Sequence, residues 1–231
     1  MITAILTIDD VPSRNTPAIV DYLNSKEITA VMFAVGKNIE KYRDNAIYAL
    51  RHGMILGNHT YSHPYCSRIA FEEVIEEIEK NEKILDGIYK DAGVIRRYKP
   101  FRFPYGDKGG ENKKALQSYL RKNGFSKLND SQIPFKWWRE GELSTDIDTF
   151  WTYDVAEYNI RTGSSFTEED VYKRMDAESP QNGGELFKDG NSNIILLHAH
   201  DETEEMVPEY YRKYLDYILE RGVQFLKPEF F

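Results

Sequence analysis

A (β/α) barrel with about seven parallel strands is the fold this sequence predicts, on three observations. Short apolar, β-branched runs recur along the chain, and segments of helical period separate them. The 231 residues, 41% hydrophobic and 13% aromatic, suffice for one sizeable core. Strands alternating with helices argue for parallel βα units, and that many units in a single domain favour a closed barrel over an open doubly wound sheet. Residues 1–231 are therefore read as one domain.

The elements follow in order. Residues 2–8 read as a buried strand that stops at Asp9, Asp10 and Val11-Pro12. "TPAIVDYLNSKEI" opens on Thr-Pro and carries apolar residues at helical spacing, and "TAVMFAVG" is a second strand ending at Gly36. Residues 37–52 read as a helix and "GMILGNH" as a short strand. "FEEVIEEIEKNEKILDGIYKDAG" is a long amphipathic helix with a glycine stop. "KPFRFPYG" is a strand running into a Pro/Gly loop, "NKKALQSYLRKNG" a helix and "TFWTYDV" a strand. "EEDVYKRMDAES" is helical, and "SPQNGGELFKDGNSN" is a surface loop. "NSNIILLHAHD" is a strand ending in polar residues, "EYYRKYLDYILERG" a helix, and "VQFLK" the closing strand.

A formal net charge of -8, with a pI near 5.3, leaves no broad basic face for nucleic acid or an anionic lipid surface. A charged content of 29% and a mean hydropathy of -0.60 describe a water-facing surface, and no run approaches the length of a membrane span. "MITAILTI" is too short for a signal segment. The expected location is therefore cytoplasmic, or exported after loss of a signal, and the oligomeric state is open. Cys66 is the only cysteine, which excludes an intrachain disulfide. It lies beside a histidine pair, although a small packed side chain is the commoner role.

Polar residues recur at strand ends. Asp9 and Asp10 follow the first strand, His59 and His63 the third, Arg102 the fourth, Asp154 and Glu157 a later one, and His198 the last long apolar strand. In a parallel barrel those ends open onto one face, where sites assemble from several loops. Asp10, His59 and His63 make a set of two imidazoles and a carboxylate that suits Zn²⁺ and leaves positions open. The histidines, four residues apart, would share a face if 60–64 formed a first helical turn. Taken singly, a surface or capping role is commoner for such a pair, a loop role for Asp-Asp, and a solvated role for Arg102. Joint placement at strand ends shifts the balance toward a site. Trp137, Trp138 and Trp151 are candidate sugar-stacking residues, with core or rim packing the more frequent fate of such rings.

"TIDD", "HTYSH", "RFPYG", "YDVAEY" and "LLHAH", in this order, resemble the five motifs of the polysaccharide deacetylase family, also called the NodB homology domain or carbohydrate esterase family four. The span from Thr7 to His200 covers almost the whole chain. The resemblance implies a distorted (β/α) barrel and metal-dependent removal of acetyl groups from N-acetylated sugars, mostly N-acetylglucosamine polymers or oligomers. It implies a divalent ion, with Zn²⁺ expected and Co²⁺ or Ni²⁺ as alternatives, held by Asp10, His59 and His63. Asp9 becomes the base that takes a proton from metal-bound water, with Arg102 holding it in position and ionised. The Tyr105 backbone N–H would serve the oxyanion, His198 would be the general acid, and Leu196 and Tyr158 would line a slot for the acetyl methyl. His200 is read as supporting or structural.

The fourth motif departs from the usual Asp-Trp, offering Glu157 and Tyr158 with Asp154 three residues earlier. The partner of His198 is thus open between Glu157 and Asp154. Two other activities stand beside sugar deacetylation: hydrolysis of a non-sugar linear or cyclic amide, and glycan binding without catalysis. The partner expected in the first case is a carbohydrate substrate.

Overall fold

The apolar run at the start of the chain becomes the central strand, β1 (Ile2–Val11), in the computed structural model, which describes residues 1–178 and 183–231. After it come α1 (Thr16–Ser25), β2 (Val31–Ala34), α2 (Gly36–Lys41), α3 (Arg43–Arg51), β3 (Ile55–Asn58), α4 (Phe71–Ala92) and α5 (Lys113–Lys122). The second half carries α6 (Lys136–Glu140), β4 (Tyr153–Asp154), α7 (Glu168–Met175), β5 (Ser192–His198), α8 (Asp201–Met206), α9 (Tyr210–Glu220) and β6 (Val223–Phe225). All strand pairs are parallel, in the order β3-β2-β1-β5-β4, with β6 joined to the first residues of β1.

Six strands are found among the described residues where about seven are expected from the sequence. The missing one is "KPFRFPYG", which keeps a single parallel bridge, Asn58 to Phe101. Pro100 and Pro104 carry no N–H, so this segment cannot sustain a ladder. It nevertheless closes the barrel, because the Thr149 N–H donates to Phe101 O at 2.7 Å on its other side. That reduced seam is the distortion of the barrel. The strand expected over 149–155 likewise shortens to two residues, and the helix expected over 37–52 breaks at Tyr42 (φ -127°, ψ 47°). α6 and α8 were not anticipated. Of the expected loop "SPQNGGELFKDGNSN", residues 179–182 lie outside the described residues and Ser192-Asn193 belong to β5.

Period-two alternation divides the side chains of β1 and β5 between two cores. Ala4, Leu6, Ile8, Ile195 and Leu197 pack outward with helix residues such as Ile19, Leu23, Ile88 and Leu215. Ile5 and Ile194 turn inward, with Val31, Phe33 and Trp138. The inner row of β1 therefore continues through Thr7 to Asp9, and that of β5 through Leu196 to His198. The two strands are in register, Asp9 opposite His198.

Gly57 sits where the closing segment approaches β3. A Cβ there would meet Pro100 O at 2.7 Å and Phe33 Cδ1 at 2.9 Å. The backbones are that close because the Asn58 N–H donates to Pro100 O at 2.9 Å and the Arg102 N–H to Asn58 O at 3.0 Å. Gly57→Ala is expected to cost about 1–3 kcal/mol through overpacking. Chemical denaturation checks this, with an unchanged midpoint as the contrary result.

Candidate active site

The strand does not stop at the acids, as the sequence suggested, but runs through them to Val11. In a regular strand Asp9 would face inward and Asp10 outward. The pairing with β2 shifts register between Ile8 and Val11, and Asp10 takes a left-handed backbone (φ 63°). This irregularity brings both neighbouring carboxylates into one cavity. Asn38 Nδ2 holds the turned backbone by donating to Asp10 O at 2.7 Å.

The histidines converge by a different route from the helical turn expected over 60–64. No helix forms there, and Thr60 (φ 64°) and His63 (φ 62°) are both left-handed. A loop with two such reversals folds back on itself, and the Thr60 N–H donates to Asn58 Oδ1 at 2.8 Å. Buried Asn58 is held in turn by α4, its Nδ2 donating to Ile78 O and Glu82 Oε1, its Oδ1 accepting from Asn81 Nδ2 at 3.0 Å. The Ser62 N–H donates to Glu77 on the same helix. His59 and His63 thereby meet with their Nε2 atoms 3.2 Å apart.

Asp10 Oδ1 lies 3.2 Å from His63 Nε2 and 3.9 Å from His59 Nε2. His59 Nδ1 is 2.8 Å from Arg102 O, an acceptor only, so that nitrogen carries a proton and Nε2 is the atom turned to the cluster. Burial, joined by the charge of His59, lowers His63 to about 4 against Asp10 and Asp9, so its ring is neutral at pH 7. Burial would raise Asp10, but the hydrogen bond from His200, with the imidazoles of His63, His198 and His59 around it, holds it well below the usual carboxylate range. Two imidazoles facing each other beside a carboxylate form a donor set that suits a divalent cation.

Asp9 is buried beside this cluster, with Oδ2 3.5 Å from His59 Nε2. Its Oδ1 accepts from Arg102 Nη1 at 2.8 Å. Arg102 is itself fully buried and spends its other donors on Thr7 Oγ1, Thr149 O and Phe150 O. Its guanidinium lies 4.4 Å from the centre of the Phe33 ring. Across the cavity, Glu157 Oε1 accepts from the His198 N–H at 2.5 Å and lies 3.2 Å from His198 Nδ1. Glu157 is thus the partner that hydrogen-bonds His198, whereas Asp154 caps the turn by accepting from the Ala156 N–H at 2.8 Å. Burial would lower His198, but the hydrogen bond and charge of Glu157, with Asp154 and Asp10, raise it to about 10. Burial and the charge of Glu157 also raise Asp154.

The cavity has a volume of about 820 Å³ and is lined by Asp9, Asp10, His59, His63, Asp154 and His198 together with Tyr105, Trp151, Tyr158, Leu196 and His200, with Arg102 and Glu157 buried behind the wall. Tyr105 is left-handed (φ 59°), stacked 3.9 Å from Tyr65, with its ring edge-on to His63 at 4.5 Å. Tyr158 stands edge-on to His198 at 4.6 Å, and Leu196 is buried in the wall. Trp137 and Trp138 do not line the cavity. Trp138 is buried and donates Nε1–H to Asp130 at 2.7 Å, and Trp137 stacks on Phe135, which leaves Trp151 at the cavity. Cys66 is buried in an apolar cluster with Val74 and Ile78, its thiol pushed up to about 12 by burial and by Asp107 and Glu77. It is a packed side chain. Sequence reasoning missed Asn58 and Asn81, although Asn81 interrupts the apolar stripe Val74, Ile78, Leu85, Ile88 of α4, which is a readable signal.

A parallel barrel whose strand ends gather an Asp-His-His cluster is the class of protein that fold and site define. The chain belongs to the polysaccharide deacetylase family, whose model, described as "Polysaccharide deacetylase", matches residues 2–126. Among curated proteins, it is 36% identical over 103 residues to a peptidoglycan-N-acetylglucosamine deacetylase of Bacillus cereus, covering 44% of this chain and 36% of that protein. It is 28% identical over 180 residues to chitin deacetylase 1 of Cryptococcus neoformans, covering 73% of this chain and 37% of that one. The chain thus spans little more than a third of the length of either. The chitin deacetylase structure from Colletotrichum lindemuthianum shares the fold, with a TM-score of 0.65 at 20% identity, over 97% of this chain and 84% of that one.

A cation bound only by the folded state adds about 2.7 kcal/mol of stability at 100 times its Kd. Zn²⁺ added to metal-stripped protein is therefore expected to raise Tm, and His59→Ala to abolish the rise. An equal rise in the variant, measured by calorimetry, would refute the ligand set.

Proposed function

We propose that this chain is a metal-dependent hydrolase that removes N-acetyl groups from an N-acetylated sugar of the N-acetylglucosamine type, residues 1–231 acting as one catalytic domain. The observation that carries the reading is the meeting, in one cavity, of three arrangements: the Asp10-His59-His63 cluster, a carboxylate clamped by Arg102, and the His198-Glu157 pair. The names of the relatives, deacetylases of chitin and of peptidoglycan N-acetylglucosamine, support the substrate class.

A divalent cation, with Zn²⁺ the first candidate, supplies a Lewis acid for the acetyl carbonyl and lowers the pKa of a water. Asp9, with one oxygen fixed by Arg102, uses the other to take the proton from the attacking water. The Tyr105 N–H donates to the developing oxyanion. His198 is engaged by Glu157 through Nδ1, so its Nε2 is the nitrogen left to protonate the departing amine. Tyr158 and Leu196 present an apolar wall to the acetyl methyl. Each role falls to a group already held by neighbours, which limits the reorganisation needed along the reaction.

Acetate release from N-acetylglucosamine oligomers of increasing length, with the stripped protein reloaded with Zn²⁺, Co²⁺ or Ni²⁺, tests the reading. Asp9→Asn is expected to lower kcat by about 100- to 10,000-fold while Zn²⁺ binding persists. Turnover of small cyclic amides and of no sugar would assign the site to another amide. The protonated form of His198 is lost as pH rises through its raised value, which sets the alkaline limb of kcat/KM. Glu157→Gln removes the carboxylate that raises it, so the limb is expected to move to lower pH. An unmoved limb would remove His198 as the acid.

A further inference from the structure

His200 is the cavity histidine to which the deacetylase mechanism gives no task. Its Nε2 lies 2.7 Å from Asp10 Oδ2, whereas Asp10 Oδ1 faces the Nε2 atoms of His63 and His59 at 3.2 and 3.9 Å. The two oxygens of one carboxylate are therefore divided: one turns toward the imidazole pair and the other is met by a third imidazole. A carboxylate oxygen at that distance accepts, so His200 Nε2 carries the proton.

We propose that His200 is a positioning residue that donates its Nε2–H to Asp10 Oδ2, restricts Asp10 to ligation through Oδ1, and thereby tightens the hold of the site on a divalent cation. The inference rests on the reading of Asp10, His59 and His63 as the ligand set.

Three observations make this more than a chance contact. The His200 backbone is fixed from below: its N–H donates to Tyr210 Oη at 3.2 Å, and that hydroxyl donates to His198 O at 2.5 Å from a fully buried position on α9. The ring packs beside the His198-Tyr158 pair, 5.6 Å from His198 and 6.4 Å from Tyr158 by centroid with those two rings 4.6 Å apart, so its approach to Asp10 is bounded on that side. The His200 side chain is 37% exposed at the cavity wall, so it adds little to the core and its buried contact is the polar one. Asp10 needs such a partner. Its left-handed backbone turns the side chain away from the strand ladder, and a free carboxylate there could rotate to offer both oxygens to a cation. Two-oxygen ligation would fill a position that water and substrate require. Hydrogen-bond partners of ligating carboxylates commonly change metal affinity by about 10- to 100-fold.

The test measures Zn²⁺ affinity of the stripped full chain by competition with a chromophoric chelator, together with the visible spectrum of the Co²⁺-loaded protein. His200→Ala is expected to weaken binding about 10- to 100-fold and to alter the Co²⁺ bands. His200→Gln, whose side-chain amide can donate from a similar reach, is expected to recover most of the affinity. Affinity within about twofold of the original in His200→Ala, or no recovery in His200→Gln, would overturn the proposal. An unsubstituted chain that binds no cation would overturn the ligand set with it, whereas cation binding without acetate release would overturn only the deacetylase reading.

Discussion

Two adjacent carboxylates must reach one cavity from a strand whose alternation sends neighbours to opposite faces, and most of this site follows from how that is resolved. The register shift at the end of β1 and the left-handed Asp10 bring both acids inside. The acids cannot then do the same thing. Asp9 keeps the inward direction of the strand and meets Arg102, and Asp10 emerges from the irregularity among the imidazoles. A difference in backbone conformation between two neighbouring residues separates their chemistry.

The charges this gathers are buried, and buried charges are costly unless paired and hydrogen-bonded. Arg102 is compensated on every side, by a carboxylate, a hydroxyl, two backbone carbonyls and the face of Phe33. Glu157 spends one oxygen on the backbone and ring of His198, while its Oε2 has no partner among the described residues. Asp154 close by shares that burial, and the two acids together favour a charged His198. The Asp10-His59-His63 cluster, a candidate cation site, is built the other way, with burial keeping His63 neutral beside the Asp10 carboxylate.

The fold holds these groups from behind. α4 supplies Asn81, Ile78, Glu82 and Glu77 to the loop that carries His59 and His63, so a helix on the outer layer fixes the histidine pair on the inner face. The Phe101-Arg102 segment closes the barrel with few strand hydrogen bonds, and it places the Arg102 carbonyl on His59 Nδ1 and the Arg102 side chain on Asp9. One residue thus orients the His59 ring and positions the neighbouring acid.

Much of this was legible in the sequence, because its signals are local. Hydrophobic period, the glycine stop at Gly93 and the polar residues after each apolar run indicated a βα barrel with a site at its strand ends, and the ordered motifs resembled one family. Asp9, Asp10, His59, His63, Arg102, Glu157 and His198 could be singled out from residue type and order alone. What only the tertiary structure decided depends on backbone dihedrals and on partners distant in the chain. The histidines meet through left-handed residues and not through a helical turn, Glu157 and not Asp154 holds the His198 ring, and Trp138 belongs to the core. His200 finds Asp10 across 190 positions of sequence. Composition and periodicity report which face a residue occupies, whereas a hydrogen bond between chain segments that far apart exists only once the strands are side by side and in register.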